Sequence, residues 1–435
     1  MADTDSELAA VRHVLTAWTP RISEQIAQLY RELHRHPELS MQEHRTAAAV
    51  VAALEPLGLD VTAGVGGTGV VAVLRNGDGP VVMLRADMDA LPVAEATGLP
   101  YASTAVSVDA AGSTVAVAHA CGHDMHTASL VGALFVLANG RKAWAGTVVA
   151  VFQPAEELGC GASAMIADGL FERFPAPQIV LGQHVGPLPA GIIAYGRGPL
   201  MAAADAVQVT LYGRGGHASR PENAVDPVVM AAAAVMRLQT LVAREVSSND
   251  QAVLTVGRLQ AGTKSNIIPD TAELDIDIRS YSDETRNQLR AAVERIVRAE
   301  AQASAAPRDP VFDWNFSVPV LISDPDATDA TVSAFHCHFG VDRMLELPPV
   351  SASEDVGAFG AALGVPTVFW FFGGIAPEVI AEATRSGRPV PVNHSPQFAP
   401  VIEPTLTTGI NALALAALTW LATSESPQPE VSVSA

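Results

Sequence analysis

Between residues 81 and 184, short apolar runs at 81–84, 147–152 and 178–184 alternate with helix-like stretches, one following Met125 and one covering 163–170. Such alternation predicts a mostly parallel sheet covered by helices, because each parallel strand needs a crossover connection to return the chain. An earlier apolar run, 70–74, is joined to 81–84 by Arg75-Asn-Gly-Asp-Gly79. That turn sequence predicts a hairpin between the two runs. Upstream, Ile26, Leu29, Tyr30 and Leu33 recur at helical spacing within 23–37, and a second helix runs from His44 to a stop at Leu57-Gly58.

The middle of the chain follows a different pattern. A strand at 205–212, a long helix at 224–243, strands at 252–259 and 271–279 and a helix at 283–301 make β-α-β-β-α, a small open sheet with helices on one face. Helices at 327–339 and 353–363, an apolar strand at 366–372 and a helix from about Pro404 follow. The simplest organisation is an α/β catalytic domain of residues 1–199 and 317–424, interrupted by an inserted α+β domain of residues 200–316. The polar, proline-bearing tail, 425–435, is expected to be disordered.

Composition removes several classes of function. Twenty-six Lys and Arg stand against 46 Asp and Glu, a net charge of −20, and no basic run offsets it, which argues against nucleic acid and anionic membrane surfaces as partners. Three cysteines, Cys121, Cys160 and Cys337, form no disulfide framework and point to a reducing, cytoplasmic setting. The acidic start of the chain lacks the basic and apolar regions of a signal peptide. The apolar stretch 410–422 is too short to span about 30 Å of hydrocarbon and reads as a buried helix.

The densest chemical feature is His119-Ala-Cys121-Gly-His123-Asp124-Met-His126, with four His and Cys side chains in eight residues. Sulfur beside imidazole suits a transition metal, and Gly122 lets the backbone fold closely round an ion. Adjacent acids, Glu156 and Glu157, follow the apolar run 147–152, and His184 ends the next one. Neighbouring acids commonly mark no more than a solvated turn. The functional alternative is that one carboxylate coordinates a metal while the other takes a proton from metal-bound water. Asp87 and Asp89 sit at another strand end, where a carboxylate can fix the tautomer of a metal-bound His. His394, in Asn393-His-Ser-Pro396, and His217, in a Gly-rich turn, are further candidates.

Two strings carry less than they promise. Gly64-Val-Gly-Gly-Thr-Gly69 fits a dinucleotide fingerprint, but a Val-rich strand follows it where a helix is needed. Phe369-Trp-Phe-Phe372 could wall an acyl pocket, although alternate residues of a buried strand are first of all core. No Gly-x-Ser-x-Gly elbow supports a serine nucleophile.

Taken in order, RADMDALP, ACGHDMHT, FQPAEE, GRGGHAS, NIIP and NHSP run from Arg85 to Pro396, preceded by LHRHPELS at 33–40. This set resembles the aminoacylase, hippurate hydrolase and auxin-conjugate hydrolase branch of the di-metal carboxypeptidase-like amidohydrolases. The resemblance implies a zinc-peptidase-like catalytic domain with an inserted lid that also mediates dimerisation in many relatives. It places metal ligands at Cys121, His123, Glu157, His184 and His394, and a general base at Glu156. His217 matches a lid histidine near the scissile amide, from the same or the partner subunit. Asn266 matches a lid asparagine, and Arg279 is a weaker match for a carboxylate-binding arginine. Asp89 matches the acid that orients a ligand. Other branches carry a metal-binding His where this chain has Asp87, which leaves the role of Asp87 open.

Five side chains fill the eight positions of two four-coordinate ions only with bridging, bidentate contacts or water, and a water-bearing metal pair is what hydrolysis needs. The expected activity is hydrolysis of N-acyl amino acids by metal-bound hydroxide, with Glu156 as base, His217 stabilising the oxyanion and two divalent ions (Zn or Mn, with Co possible) per subunit. A homodimer or higher oligomer formed through the lid is expected. The competing readings are a non-catalytic metal- or peptide-binding relative and a dipeptide hydrolase.

Overall fold

In the computed structural model, residues 2–421 are described; the tail expectation lies outside them. The described residues form two compact units, one of residues 2–198, 322–348 and 356–421, the other of residues 199–321 and 349–355.

The first unit is built on an eight-stranded sheet. Its order is Asp60–Val65, Gly69–Asn76, Gly146–Gln153, Val81–Asp87, Ile179–Pro189, Thr367–Ile375, Ile193–Tyr195 and Met344–Glu346. The four central strands run parallel, and their near-continuous apolar sequences suit strands covered on both faces. One expectation fails here. Gly69–Asn76 and Val81–Asp87 form no hairpin, because Gly146–Gln153 lies between them, antiparallel to the first and parallel to the second. Val81–Asp87 has parallel partners on both sides and so no edge to offer its sequence neighbour. The hairpin lies one step earlier, between Asp60–Val65 and Gly69–Asn76, and the Gly64–Gly69 string is its turn.

The helix His123–Asn139 is buried from His123 to Leu137. It packs against the helices Ala2–Arg35 and Ile402–Trp420. The first of these extends far upstream of the expected start at Ser23 and contains Pro20. Trp370 and Phe372 are buried in the same core, with the Trp370 indole donating to Gln183 at 3.0 Å, and Phe369 is buried outside that cluster. A short helix, Pro377–Ser386, had no clear sequence signal.

The second unit holds a four-stranded antiparallel sheet in the order Ala252–Ala261, Thr271–Ser280, Ala203–Tyr212 and Val311–Val318. The last strand completes β-α-β-β-α-β; sequence reading missed it, although Phe312, Trp314 and Phe316 alternate with polar residues. The helices Pro227–Leu238 and Asp283–Ala303 pack on this sheet. The stretch Pro227–Arg244 is long and apolar enough to cross a membrane, but it is broken at Gln239 and buries Met230, Ala231, Ala234 and Leu238 in this core.

Candidate metal and active site

Two parallel strands deliver acids to one end of the large sheet. Val81–Asp87 ends in Asp87 with Asp89 just beyond, and Gly146–Gln153 is followed by Glu156 and Glu157. Outside the carboxyl ends of strands is where open α/β sheets hold ligands. Beside them the helix His123–Asn139 starts at His123, entered through Gly122 at φ +83°. A Cβ on Gly122 would lie 2.4 Å from Val185 Cγ1, so only glycine admits so close an approach. The loop that carries His394 is sewn to the same place. The His394 N–H donates to the Ala120 carbonyl at 2.8 Å, and Asn393 Nδ2 donates to the carbonyls of Cys121 and Val185 at 3.2 and 3.1 Å. Residues 121 and 394 therefore lie side by side.

Three imidazoles turn their Nε2 atoms toward this cluster. His123 Nδ1 donates to Asp89 at 3.1 Å and His184 Nδ1 to the Val185 carbonyl at 2.8 Å; each bond leaves Nε2 to face the cluster. His184 Nε2 lies 3.5 Å from Cys121 Sγ, and His394 Nε2 lies 3.3 Å from Glu157 Oε1. Cys121, His123 and Glu157 each offer a donor atom within 4.8 Å of the other two. His123 Nε2 is buried without a hydrogen-bond partner, and Asp87, Glu157 and Glu156 oxygens surround it at 3.7, 3.8 and 3.9 Å.

This donor set fits divalent metal. Bond lengths of 2.0–2.3 Å around a tetrahedral ion separate donors by about 3.3–3.8 Å, the spacing already found at Cys121–His184 and Glu157–His394. Burial, with the Glu157 charge adding to it, pushes the Cys121 thiol up to about 12, so a thiolate there requires a cation to displace the proton. Burial opposes a charged His123, but Asp87 and Asp89 hold its pKa well above the ordinary value. Burial, with His126 adding to it, holds His184 well below, as a neutral ligand needs.

Not every expected donor belongs to the set. Asp87, His123, His126 and His184 also have donors within 4.8 Å of one another, yet two of the four are already engaged. His126 Nδ1 bonds Asp87 Oδ1 at 2.5 Å, and its Nε2 accepts the Val185 N–H at 2.7 Å. Asp87 Oδ2 accepts from Arg85 at 2.8 Å, and Arg85 Nε donates to Gln153 at 2.8 Å. All four of these side chains are buried. His123, His126 and Arg85 together outweigh burial and keep Asp87 well below the usual carboxylate range. His119 is buried with neither ring nitrogen hydrogen-bonded, and burial lowers it to about 4. Asp89 ties two members of the donor set together: besides bonding His123 it accepts the Glu157 N–H at 3.0 Å, and it also accepts the Ser40 hydroxyl at 2.6 Å.

The remaining candidates lie in the second unit. His217 pairs with Ile267 across a two-stranded ribbon, and the Ala218 N–H donates to the Asn266 carbonyl, so His217 and Asn266 are neighbours. His217 is exposed, and its Nδ1 accepts the Ser219 N–H at 3.1 Å, which leaves Nε2 as the outward donor. Arg279 donates to both Asp277 oxygens at 2.9 and 3.0 Å and to the Ser353 hydroxyl at 2.6 Å.

Residues 83–385 match the sequence profile of peptidase family M20/M25/M40. An N-acetyl-L-cysteine deacetylase of Bacillus subtilis is 36% identical over 355 residues, 81% of each chain. A hippurate hydrolase of Campylobacter jejuni is 38% identical over 336 residues, covering 76% of this chain and 84% of its own. The crystal structure of a dinuclear metal-binding peptidase of the M20 family from Bacillus subtilis superposes with a TM-score of 0.72 at 28% identity, covering 92% of this chain and all of that one. With hydrolases among its relatives and a thiol, imidazoles and a carboxylate converging at the strand ends, this chain belongs to peptidase family M20/M25/M40, as a metal-dependent amidohydrolase.

Proposed function

We propose that the chain hydrolyses the amide bond of N-acyl amino acids, releasing a carboxylic acid and a free amino acid. The observation that carries this reading is the pair Glu156 and Glu157. The Glu157 carboxylate lies 3.3 Å from His394 Nε2 among the donors, while Glu156, the residue before it, has a carboxylate oxygen 3.9 Å from His123 Nε2.

Cys121, His123, Glu157, His184 and His394 would hold two divalent cations, zinc, manganese or cobalt. Such ions supply Lewis acidity toward water and the amide carbonyl. Glu156 accepts the proton of the attacking water and returns it to the leaving amine nitrogen. Asp89 keeps His123 in the tautomer that offers Nε2. His217 Nε2 donates to the oxyanion, a contribution of a few kcal/mol for a donor of this kind. Asn266 orients the substrate beside His217, and Arg279 reads its free carboxylate in competition with Asp277.

N-acyl amino acids are favoured as substrates because relatives over most of the chain are named for N-acetylcysteine and hippurate. The second unit would join two copies in a cytoplasmic homodimer. Its edge strand Ala252–Ala261 exposes Val253 and Leu259, and the helix Pro227–Leu238 exposes Val229 and Met236.

The test strips the protein with a chelator, resupplies each ion and assays a panel of N-acetyl and N-benzoyl amino acids for released amino acid. Activity should disappear with the chelator and return with metal, and Glu156→Gln should abolish turnover while metal content stays unchanged. Turnover by the stripped protein or by Glu156→Gln refutes the reading.

A further inference from the structure

Glu43 stands immediately before the helix His44–Leu54, where a side chain ordinarily caps the first turn. It makes no capping bond. The Arg45 and Thr46 N–H groups go to Glu38 instead, at 3.0 and 2.8 Å. The Glu43 carboxylate is buried and reaches inward, where Oε1 accepts the Ala155 N–H at 2.9 Å and Oε2 accepts the Thr68 hydroxyl.

Ala155 has φ +49°, a left-handed conformation in a residue other than glycine. Such strain persists only where the surroundings impose it, and it gathers at functional sites. Glu156 comes next, and the following N–H, that of Glu157, is held by Asp89 at 3.0 Å. Two buried carboxylates thus grip the main chain on either side of Glu156. The Gly64–Gly69 turn has its explanation here as well. A Cβ on Gly66 would lie 2.6 Å from the Met165 backbone nitrogen, and one on Gly69 would lie 2.4 Å from the Val65 carbonyl. The glycines let this turn close tightly and pack on the helix Gly161–Ala167, which presents Thr68 to Glu43.

We propose that Glu43 is a positioning residue for Glu156: it holds the Ala155 backbone in its strained conformation and thereby aims the neighbouring carboxylate at the reacting water. The inference rests on the reading of Glu156 as the base. A carboxylate buried for helix capping or packing alone would have no reason to bypass its own helix and bond residue 155.

The experiment compares metal-loaded Glu43→Met, Glu43→Gln, Thr68→Val and Glu156→Gln with the wild type. It measures kcat and KM on the best substrate of the panel, bound metal, and the thermal midpoint. Glu43→Met preserves length and apolar volume but offers no acceptor, and should lower kcat by about 10²-fold with KM and metal content unchanged. Glu43→Gln keeps an acceptor for Ala155 and a donor toward Thr68, and should recover most of the lost kcat. If Glu43→Met fails to fold, Thr68→Val carries the test, with a few-fold fall in kcat alone.

Wild-type kcat in Glu43→Met, a Gln variant as impaired as the Met variant, or a loss that tracks metal or folded protein would each overturn the proposal. An active Glu156→Gln would remove the base assignment itself. An inactive Glu156→Gln beside a fully active Glu43→Met would remove only the positioning role.

Discussion

Asp87 and Glu157 are both acids delivered by neighbouring parallel strands, and they end in opposite circumstances. Asp87 has one oxygen on His126 and the other on Arg85, with Arg85 in turn on Gln153. The Glu157 backbone N–H is held by Asp89, and its side chain faces two imidazole nitrogens at 3.3 and 3.8 Å. Residue type and strand-end position do not separate a ligand from a structural ion pair. The number of partners already present does, because a buried donor set with unmatched lone pairs is costly unless a cation completes it.

The comparison can be broken most forcefully on the open side. His394→Ala removes a side chain facing Glu157 while leaving the Asp87 group untouched. Metal content should fall, and activity should drop by about 10³-fold, as expected when several kcal/mol of metal-dependent stabilisation is lost. The thermal midpoint of the metal-free protein should hardly move. Full activity with normal metal content in this variant would show that the open donors are not ligands.

The saturated side should respond the other way. Asp87→Asn strips the charge that faces Arg85, which is fully buried. Leaving a buried cation uncompensated costs about 3–5 kcal/mol, so the denaturant midpoint should fall substantially while the folded protein still takes up metal. Metal loss with an unchanged midpoint would place Asp87 among the ligands after all, as in the branches where histidine occupies its position.

What the sequence made legible follows the same division. The candidate cluster was legible because Cys121, His123, Glu156, Glu157 and His394 lie in short strings whose chemistry is local. The alternation of runs between 81 and 184 likewise carried the parallel sheet. The hairpin expectation failed because turn chemistry at Arg75–Gly79 says that the chain turns, not which strand lies alongside afterwards. That choice was made by Gly146–Gln153, some seventy residues away. Glu43 escaped notice for a related reason. A lone acid at a helix start reads as a cap, and only the folded structure reveals that Glu38 takes the first-turn N–H groups and frees Glu43 for residue 155.

A third buried pairing sharpens the contrast, because its cation can be titrated. His34 Nδ1 bonds Asp124 at 2.6 Å and Nε2 bonds Glu95 at 3.1 Å. Burial works against a charged His34, but the two carboxylates raise it to about 10, while both carboxylates are themselves lowered. A histidine raised in the folded state stabilises fully below its unfolded value of about 6.5 and loses that stabilisation as pH climbs toward 10. Tyr30 and Tyr101, which pack against His34, are raised above their ordinary value and stay neutral over this window. The unfolding free energy of wild type minus that of His34→Gln should therefore shrink by a few kcal/mol between pH 6 and pH 10. The Asp87–Arg85 pair, with an arginine that stays charged, should contribute equally at both ends. A His34 difference that stays constant with pH would mean that the ring is neutral and that Asp124 and Glu95 are held by hydrogen bonds alone.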